Sequence, residues 1–203
     1  PSERFHPYDY AYQSMMRDVG NLSAVTSYAH LYVNGTDWGI MNIEEHMSKE
    51  FLEKLKRKES AIVRFSNEKF WLYKNKTDNP YLNYRISDPS LNVHLYGSQK
   101  YLRNKHYRKV YSYIFKNNLN NNSHLFDIDH LTKSYILATV WGSWHTLTHN
   151  NTRYYFNPFT LKLEPITTDQ TGYKALNGSK NILFYDLLPR HYINMMSTQS
   201  YAV

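Results

Sequence analysis

The sequence predicts an α+β chain, and three observations carry that reading. Residues between Ala24 and Ile43 alternate with the two-residue period of strands around an Asn34-Gly35 turn. Apolar residues at Tyr107, Val110, Tyr111 and Ile114 follow helical spacing, and two short strand-like runs, Arg153 to Asn157 and Lys162 to Thr167, stand in the second half. With 203 residues and 41% hydrophobic content the chain can bury one sizeable core but not several, so it reads as one unit over 1–203.

Taken in order, Pro1 to Arg17 is rich in Tyr and Met without a clean period, and a short helix is expected around Tyr12 to Arg17. From Ala24 onward, Val25, Ser27, Ala29, Leu31 and Val33 share one side and Thr26, Tyr28, His30 and Tyr32 the other, as in a strand. Asn34-Gly35 suits a type I′ turn, whose two central residues both need positive φ, and Trp38 to Ile43 is the returning strand. A helix is expected from Glu44 and Glu45 through Met47, Phe51, Leu52 and Leu55. Its acids lie in the first turn, and Lys54, Lys56, Arg57 and Lys58 in the last, which matches the helix dipole.

Ala61 to Phe65 and Phe70 to Tyr73 read as short strands. A polar stretch interrupted by Pro80 and Pro89 follows and is the clearest break in composition. A basic helix is expected from about Gln99 to Phe115, stopped by the polar run Asn117 to Asn122. Asp127 then caps an apolar helix reaching about Trp141, with Leu131, Tyr135, Ala138 and Trp141 inward, expected to be the most buried helix of the protein. A polar loop holding Trp144, His145, His149, Asn150 and Asn151 leads into the last two strands, and Asp169 stands just past the second.

The 20 Tyr and 9 Phe require rings both in the core and on the surface, many with a hydroxyl that needs a partner. No run approaches the roughly 18 apolar residues of a membrane-spanning helix, no leader is visible, and a start at Pro1 is expected for a processed product or an excerpt of something longer. Without Cys there is no thiolate chemistry, and cysteine usage says nothing of the redox compartment. Six Asn-x-Ser/Thr sequons, at Asn21, Asn34, Asn75, Asn121, Asn150 and Asn177, are mostly what chance gives in so Asn-rich a chain.

The net charge of +7 implies attraction to anions. Lys100, Arg103, Lys105, Arg108, Lys109 and Lys116 alternate with Tyr101, Tyr107, Tyr111 and Tyr113, a composition that would also suit single-stranded nucleic acid. The helical spacing of the rings favours an amphipathic helix with a solvated cationic face, so nucleic acid is disfavoured as a partner.

The polar loop and Asp169 gather metal-ligand side chains between apolar elements. His145, His149, Asn150 and Asp169 together also suit a transition metal, though without a dense ligand spacing. The run Leu31-Tyr32-Val33-Asn34-Gly35-Thr36-Asp37-Trp38-Gly39-Ile40-Met41-Asn42-Ile43-Glu44-Glu45-His46, with Ser48 and Phe51-Leu52 after it, resembles the signature hairpin of the CotH family, the spore-coat kinases and their bacterial and fungal relatives. Trp144 to Tyr155 and the strand ending Pro165-Ile166-Thr167-Thr168-Asp169 are similar to that family's second signature. There an Asp precedes a His-Asn pair and two aromatics, and a returning strand ends in Trp-Asp-x-Asp. The resemblance runs over about residues 17–171.

The resemblance implies a protein-kinase-like fold. Its β-rich N-terminal lobe, an antiparallel hairpin plus a helix, would occupy 1–80. A mainly helical C-terminal lobe with a catalytic-type loop would occupy 90–203, minimal or truncated because 32 residues follow Thr171. It implies ATP with Mg²⁺ or Mn²⁺ between the lobes and phosphate transfer to Ser or Thr of a surface or coat protein, in an extracellular or cell-surface setting. Phosphoryl transfer asks the protein for a base to orient the acceptor hydroxyl and oxygen ligands for the metal. Five residues before Asn150 stands His145, where the family pattern has its base Asp, and an imidazole can take a proton near neutral pH. Asn150 and Asp169 map onto metal ligands, whereas Thr171 and Thr168 replace the family's second Asp and its Trp. Arg64 stands at the family's strand Lys, with Lys74 as a second candidate for the nucleotide phosphates, and Glu44 or Glu45 is the acid that would pair with that cation. The alternatives are a non-catalytic, pseudokinase-like surface or adhesion module, and a nucleic-acid-binding domain using the helix from Lys100 to Lys116.

Overall fold

The structure is a computed structural model that describes residues 7–65, 93–96, 103–119, 123–148, 151–170 and 172–173. Among these, four α-helices and seven strands follow in the order α1 (Tyr8–Asp18), β1 (Leu22–Ser23), β2 (Thr26–Val33), β3 (Thr36–Glu44), α2 (Lys49–Lys54), β4 (Ile62–Phe65), β5 (Val93–Leu95), α3 (Lys105–Leu119), α4 (Ile128–Trp141), β6 (Arg153–Asn157) and β7 (Lys162–Thr167). Five strands form one sheet in the order β1-β7-β6-β4-β5, and β2 with β3 forms a separate two-stranded sheet. The five-stranded sheet is mixed, because β1 runs parallel to β7 and the other pairs are antiparallel.

The α+β class expected from the sequence is what the chain adopts, and the sheet draws strands from both halves. Alternation along β4, β6 and β7 sends neighbouring side chains to opposite faces. Val63, Phe65, Tyr154, Phe156 and Leu163 meet Tyr12 and Met16 of α1, Val110 and Ile114 of α3, and Leu131 and Ala138 of α4. Ile62, Tyr155 and Ile166 meet Leu22, Met47 and, from α2, Phe51 and Leu52. Each large side chain buried this way contributes about 1.5–3 kcal/mol relative to exposure.

Several boundaries differ from expectation for physical reasons. Helix α1 starts at Tyr8 rather than near Tyr12; its period is masked because the polar Gln13 is fully buried beside Tyr12 and Met16. Strand β1 has two residues, too few to carry an alternating pattern. Glu44 ends β3 opposite Thr26, and the Glu45 N–H donates to the Val25 carbonyl, so neither acid lies in α2. That helix starts at Lys49, where the Ser48 hydroxyl accepts the Phe51 N–H at 3.5 Å as its N-cap. The segment holding the expected strand Phe70 to Tyr73, the proline-interrupted stretch and Lys74 lies outside the described residues.

The hairpin turn is as expected, with positive φ at Asn34 (51°) and Gly35 (79°). Leu31 pairs with Gly39 and Tyr32 with Asp37, leaving Trp38 as the extra residue of a bulge in which Gly39 takes a φ of 76°. Both faces of this hairpin are largely exposed, including Tyr32, Trp38, Ile40 and Ile43. In α3, Val110 and Ile114 are buried, Tyr107 and Tyr111 pack against the core, and Lys105, Arg108, Lys109 and Lys116, with Arg103 just before the helix, are exposed, the amphipathic arrangement expected. The Asn104 side chain accepts the His106 N–H at 2.8 Å at the start of that helix.

Helix α4 begins as expected, with the Asp127 carboxylate accepting the His130 N–H at 3.2 Å, and ends at Gly142 in the left-handed region. It is not buried all round: Leu131, Ser134 and Ala138 face inward, while Ile136 and Val140 are 55% and 58% exposed, because only one face packs on the sheet and α1. An ion pair between half-buried Arg57 and buried Glu164 ties α2's outgoing loop to β7. Arg57 Nε donates to Glu164 Oε2 at 2.8 Å, and Asn157 Nδ2 donates to Oε1 at 2.7 Å. Burial and the Glu164 charge push the neighbouring Tyr155 phenol up to about 12, and its hydroxyl donates to the Lys58 carbonyl at 2.7 Å.

Candidate functional site

The loop after α4 is built by backbone and threonine hydrogen bonds. Gly142, at a φ of 73°, ends the helix, and the Ser143 N–H reaches back to the Ala138 carbonyl at 3.1 Å. His145–Leu147 then forms a single 3₁₀ turn whose Thr146 and Leu147 are fully buried. The Thr152 hydroxyl donates to the Thr146 carbonyl at 2.8 Å, and the Asn151 side chain donates to the His145 carbonyl at 2.9 Å. Asn151 therefore braces the loop from within.

The far end of β7 is fixed to this loop. The Thr168 N–H donates to the Thr146 hydroxyl at 3.1 Å, the Thr168 hydroxyl to the Asn151 carbonyl at 3.2 Å, and Gln170 Nε2 to the Ser143 carbonyl at 2.9 Å. Between those anchors Asp169 adopts a φ of 53°, and its Oδ2 lies 3.4 Å from His145 Nε2. Both side chains are about two-fifths exposed, at 43% for His145 and 40% for Asp169, so the pair opens to solvent. The two residues named from the sequence as catalytic are thus neighbours in space, although 24 positions separate them in the chain.

A second group of polar side chains lies on the α2 side of the sheet. Arg64 sits opposite His94 on β5 and, by alternation, shares the face of Ile62. Arg153 stands one position beyond Tyr154, which pairs with Val63 of β4, and itself pairs with Ile166 of β7. Its guanidinium stands 5.5 Å from the centre of the Tyr96 ring. Asp169 lies three residues past Ile166, within about 10 Å of extended backbone. Arg153 escapes notice in the sequence because it opens a strand whose next three residues are aromatic. Only its register beside Arg64 reveals it.

Glu45 Oε1 pairs with Lys54 Nζ at 3.2 Å. Exposed Lys54 approaches it from the last turn of α2 once that helix begins at Lys49. Lys74, His149 and Asn150 lie outside the described residues. Asp127, Asp129 and His130 bring ligand atoms within 4.8 Å of one another, but the atoms already have structural duties. Asp127 caps α4 and binds the His130 ring at 2.8 Å, and Asp129 pairs with Lys133 at 2.6 Å. Burial raises the Asp127 pKa, but the His130 ring and N–H outweigh it and hold the carboxyl below the usual aspartate range.

No helix among the described residues is long and apolar enough to cross a membrane. Comparison with curated proteins gives no match. The family model described as CotH kinase protein matches residues 8–187, which includes the hairpin, the His145 loop and the end of β7. On that match, covering well over half of its length, the chain belongs to the CotH kinase protein family.

Proposed function

We propose that this chain binds ATP with a divalent cation, Mg²⁺ or Mn²⁺, and transfers a phosphoryl group to a Ser or Thr hydroxyl of a surface or coat protein. The observation that carries the reading is the meeting of His145 and Asp169 at 3.4 Å, with both side chains partly exposed to solvent, in a member of a family described as kinases. The donor chemistry suits the group: a carboxylate held at the end of β7 offers hard oxygen ligands for the cation. Guanidinium groups at Arg64 and Arg153 offer forked donors for phosphate oxygens. A bound cation would neutralise phosphate charge. Asp169 is assigned to hold it, and His145 Nε2, when neutral, to accept the proton of the attacking hydroxyl. Lys74 and Asn150 belong to the same assignment through the resemblance. A kinase-like division into 1–80 and 90–203, with the five-stranded sheet crossing it, and a cell-surface or coat location are part of the proposal.

The test is transfer of label from γ-labelled ATP, with Mg²⁺ or Mn²⁺, to the chain itself and to a Ser-rich test protein. His145→Gln is expected to lower the rate by roughly 10²–10⁴-fold and Asp169→Ala to abolish transfer. Equal labelling by wild type and Asp169→Ala would sink the enzyme reading.

A further inference from the structure

Helix α1 is far from Asp169 in sequence, yet it bonds to the chain on both sides of it, to the Gln170 backbone N–H and to the Thr167 hydroxyl. Asp9 Oδ1 accepts the Gln170 N–H at 2.8 Å and Gln13 Nε2 at 3.0 Å. Gln13 Oε1 in turn accepts the Thr167 hydroxyl at 2.8 Å, and the Gln13 carbonyl accepts the Ser23 hydroxyl at 2.8 Å. Gln13, Ser23 and Thr167 are fully buried, so the bonds among them are shielded from water, while those of Asp9 are half-buried. The residues before and after Asp169 are thus gripped from α1 as well as from the His145 loop. Asp169 itself sits at a φ of 53°, where a residue other than glycine stays only when its surroundings determine it.

We propose that Asp9 and Gln13 are positioning residues for Asp169, forming a clasp from α1 that sets where its carboxylate lies and so how tightly the site takes a metal-nucleotide. This rests on the reading of Asp169 as the metal ligand. A ligand carboxylate must be held within a few tenths of an ångström of its working position, and the groups that orient ligands affect affinity without touching the ion. Removing the Asp9 carboxylate leaves the Gln170 N–H without this acceptor and frees the Asp169 turn to relax towards negative φ, away from His145.

The experiment titrates the purified chain with Mn²⁺-ATP at a temperature well below melting, alongside its melting curve without ligand. Asp9→Ala is expected to need roughly 10–100-fold more Mn²⁺-ATP for half-saturation. Asp9→Asn, whose amide oxygen can still accept both bonds, should titrate close to wild type. Thr167→Val keeps its shape but loses the bond to Gln13, and should fall between. A purely structural role would lower the melting temperature and leave the affinity of the folded protein unchanged. The clasp is overturned if Asp9→Ala titrates like wild type, or if Asp9→Asn is as weak as Asp9→Ala. Should Asp9→Ala fail to fold, a wild-type titration by Thr167→Val overturns it instead. A wild type that does not bind Mn²⁺-ATP at all removes the nucleotide reading and the clasp with it, whereas binding that ignores Asp9 and Thr167 refutes the clasp alone.

Discussion

Glu164 is 2% exposed and sits on β7 with both carboxylate oxygens engaged, one by Arg57 and one by Asn157. Deleting one partner of a buried pair costs more than the pair is worth, because the remaining charge stays out of water. Arg57→Met is therefore expected to destabilise the chain by about 1–3 kcal/mol in denaturant unfolding, and no measurable loss would mean that Glu164 reaches water. Asp127 gives a pH-dependent counterpart. Its carboxyl titrates lower in the folded chain than in the unfolded one, so its stabilisation is full above the unfolded value and is lost as pH falls through the folded value. Asp127→Ala should cost about 1 kcal/mol at neutral pH, with the gap to wild type closing below about pH 4. A gap that persists into acid would contradict the cap. Among single residues, the sequence places His145 and Asp169 in one polar group, and the two meet in space. Gln13 and Arg153 were not legible in it, because a polar residue inside an apolar helix face and a charge at a strand's first position look like noise until a partner is known.

At the scale of elements, the local signals were read well and the tertiary ones poorly. Asn34-Gly35 and Asp127 specify a turn and a cap through their own backbone chemistry, and both stand where expected. The start of α2 was misplaced by four or five residues. Strand pairing of Glu44 with Thr26 prevailed over the attraction of acids to a helix N-terminus, and Ser48 took the cap. The β2–β3 hairpin shows the limit of a pattern argument. Its alternation gives a strand, but no residue of it belongs to either buried cluster, so the period reports backbone preference rather than a buried face. Its amides should accordingly exchange with solvent faster than those of β4, β6 and β7, since opening it exposes little apolar surface. Equal protection across both sheets in hydrogen exchange would show that the hairpin is held by contacts beyond its own ladder.

For the whole molecule, closure depends on contacts that no window of sequence displays. Two residues of β1 run parallel to β7, and next to them the buried Asn21 donates to the His130 carbonyl and the Ser134 hydroxyl of α4, both at 2.8 Å. That burial also removes the Asn21 sequon from the accessible surface, while Asn34 stays exposed on the hairpin turn. The same closure brings α1 onto the end of β7, beside the His145 loop, where His145 and Asp169 meet partly exposed to solvent. The central claim is that this site takes a metal-nucleotide through Asp169. The most direct measurement is a titration of wild type and Asp169→Ala with Mn²⁺-ATP, followed by thermal unfolding. At 100 times its Kd the ligand should stabilise wild type by about 2.7 kcal/mol and leave Asp169→Ala unmoved. An equal shift in both proteins, or none in wild type, would contradict the claim.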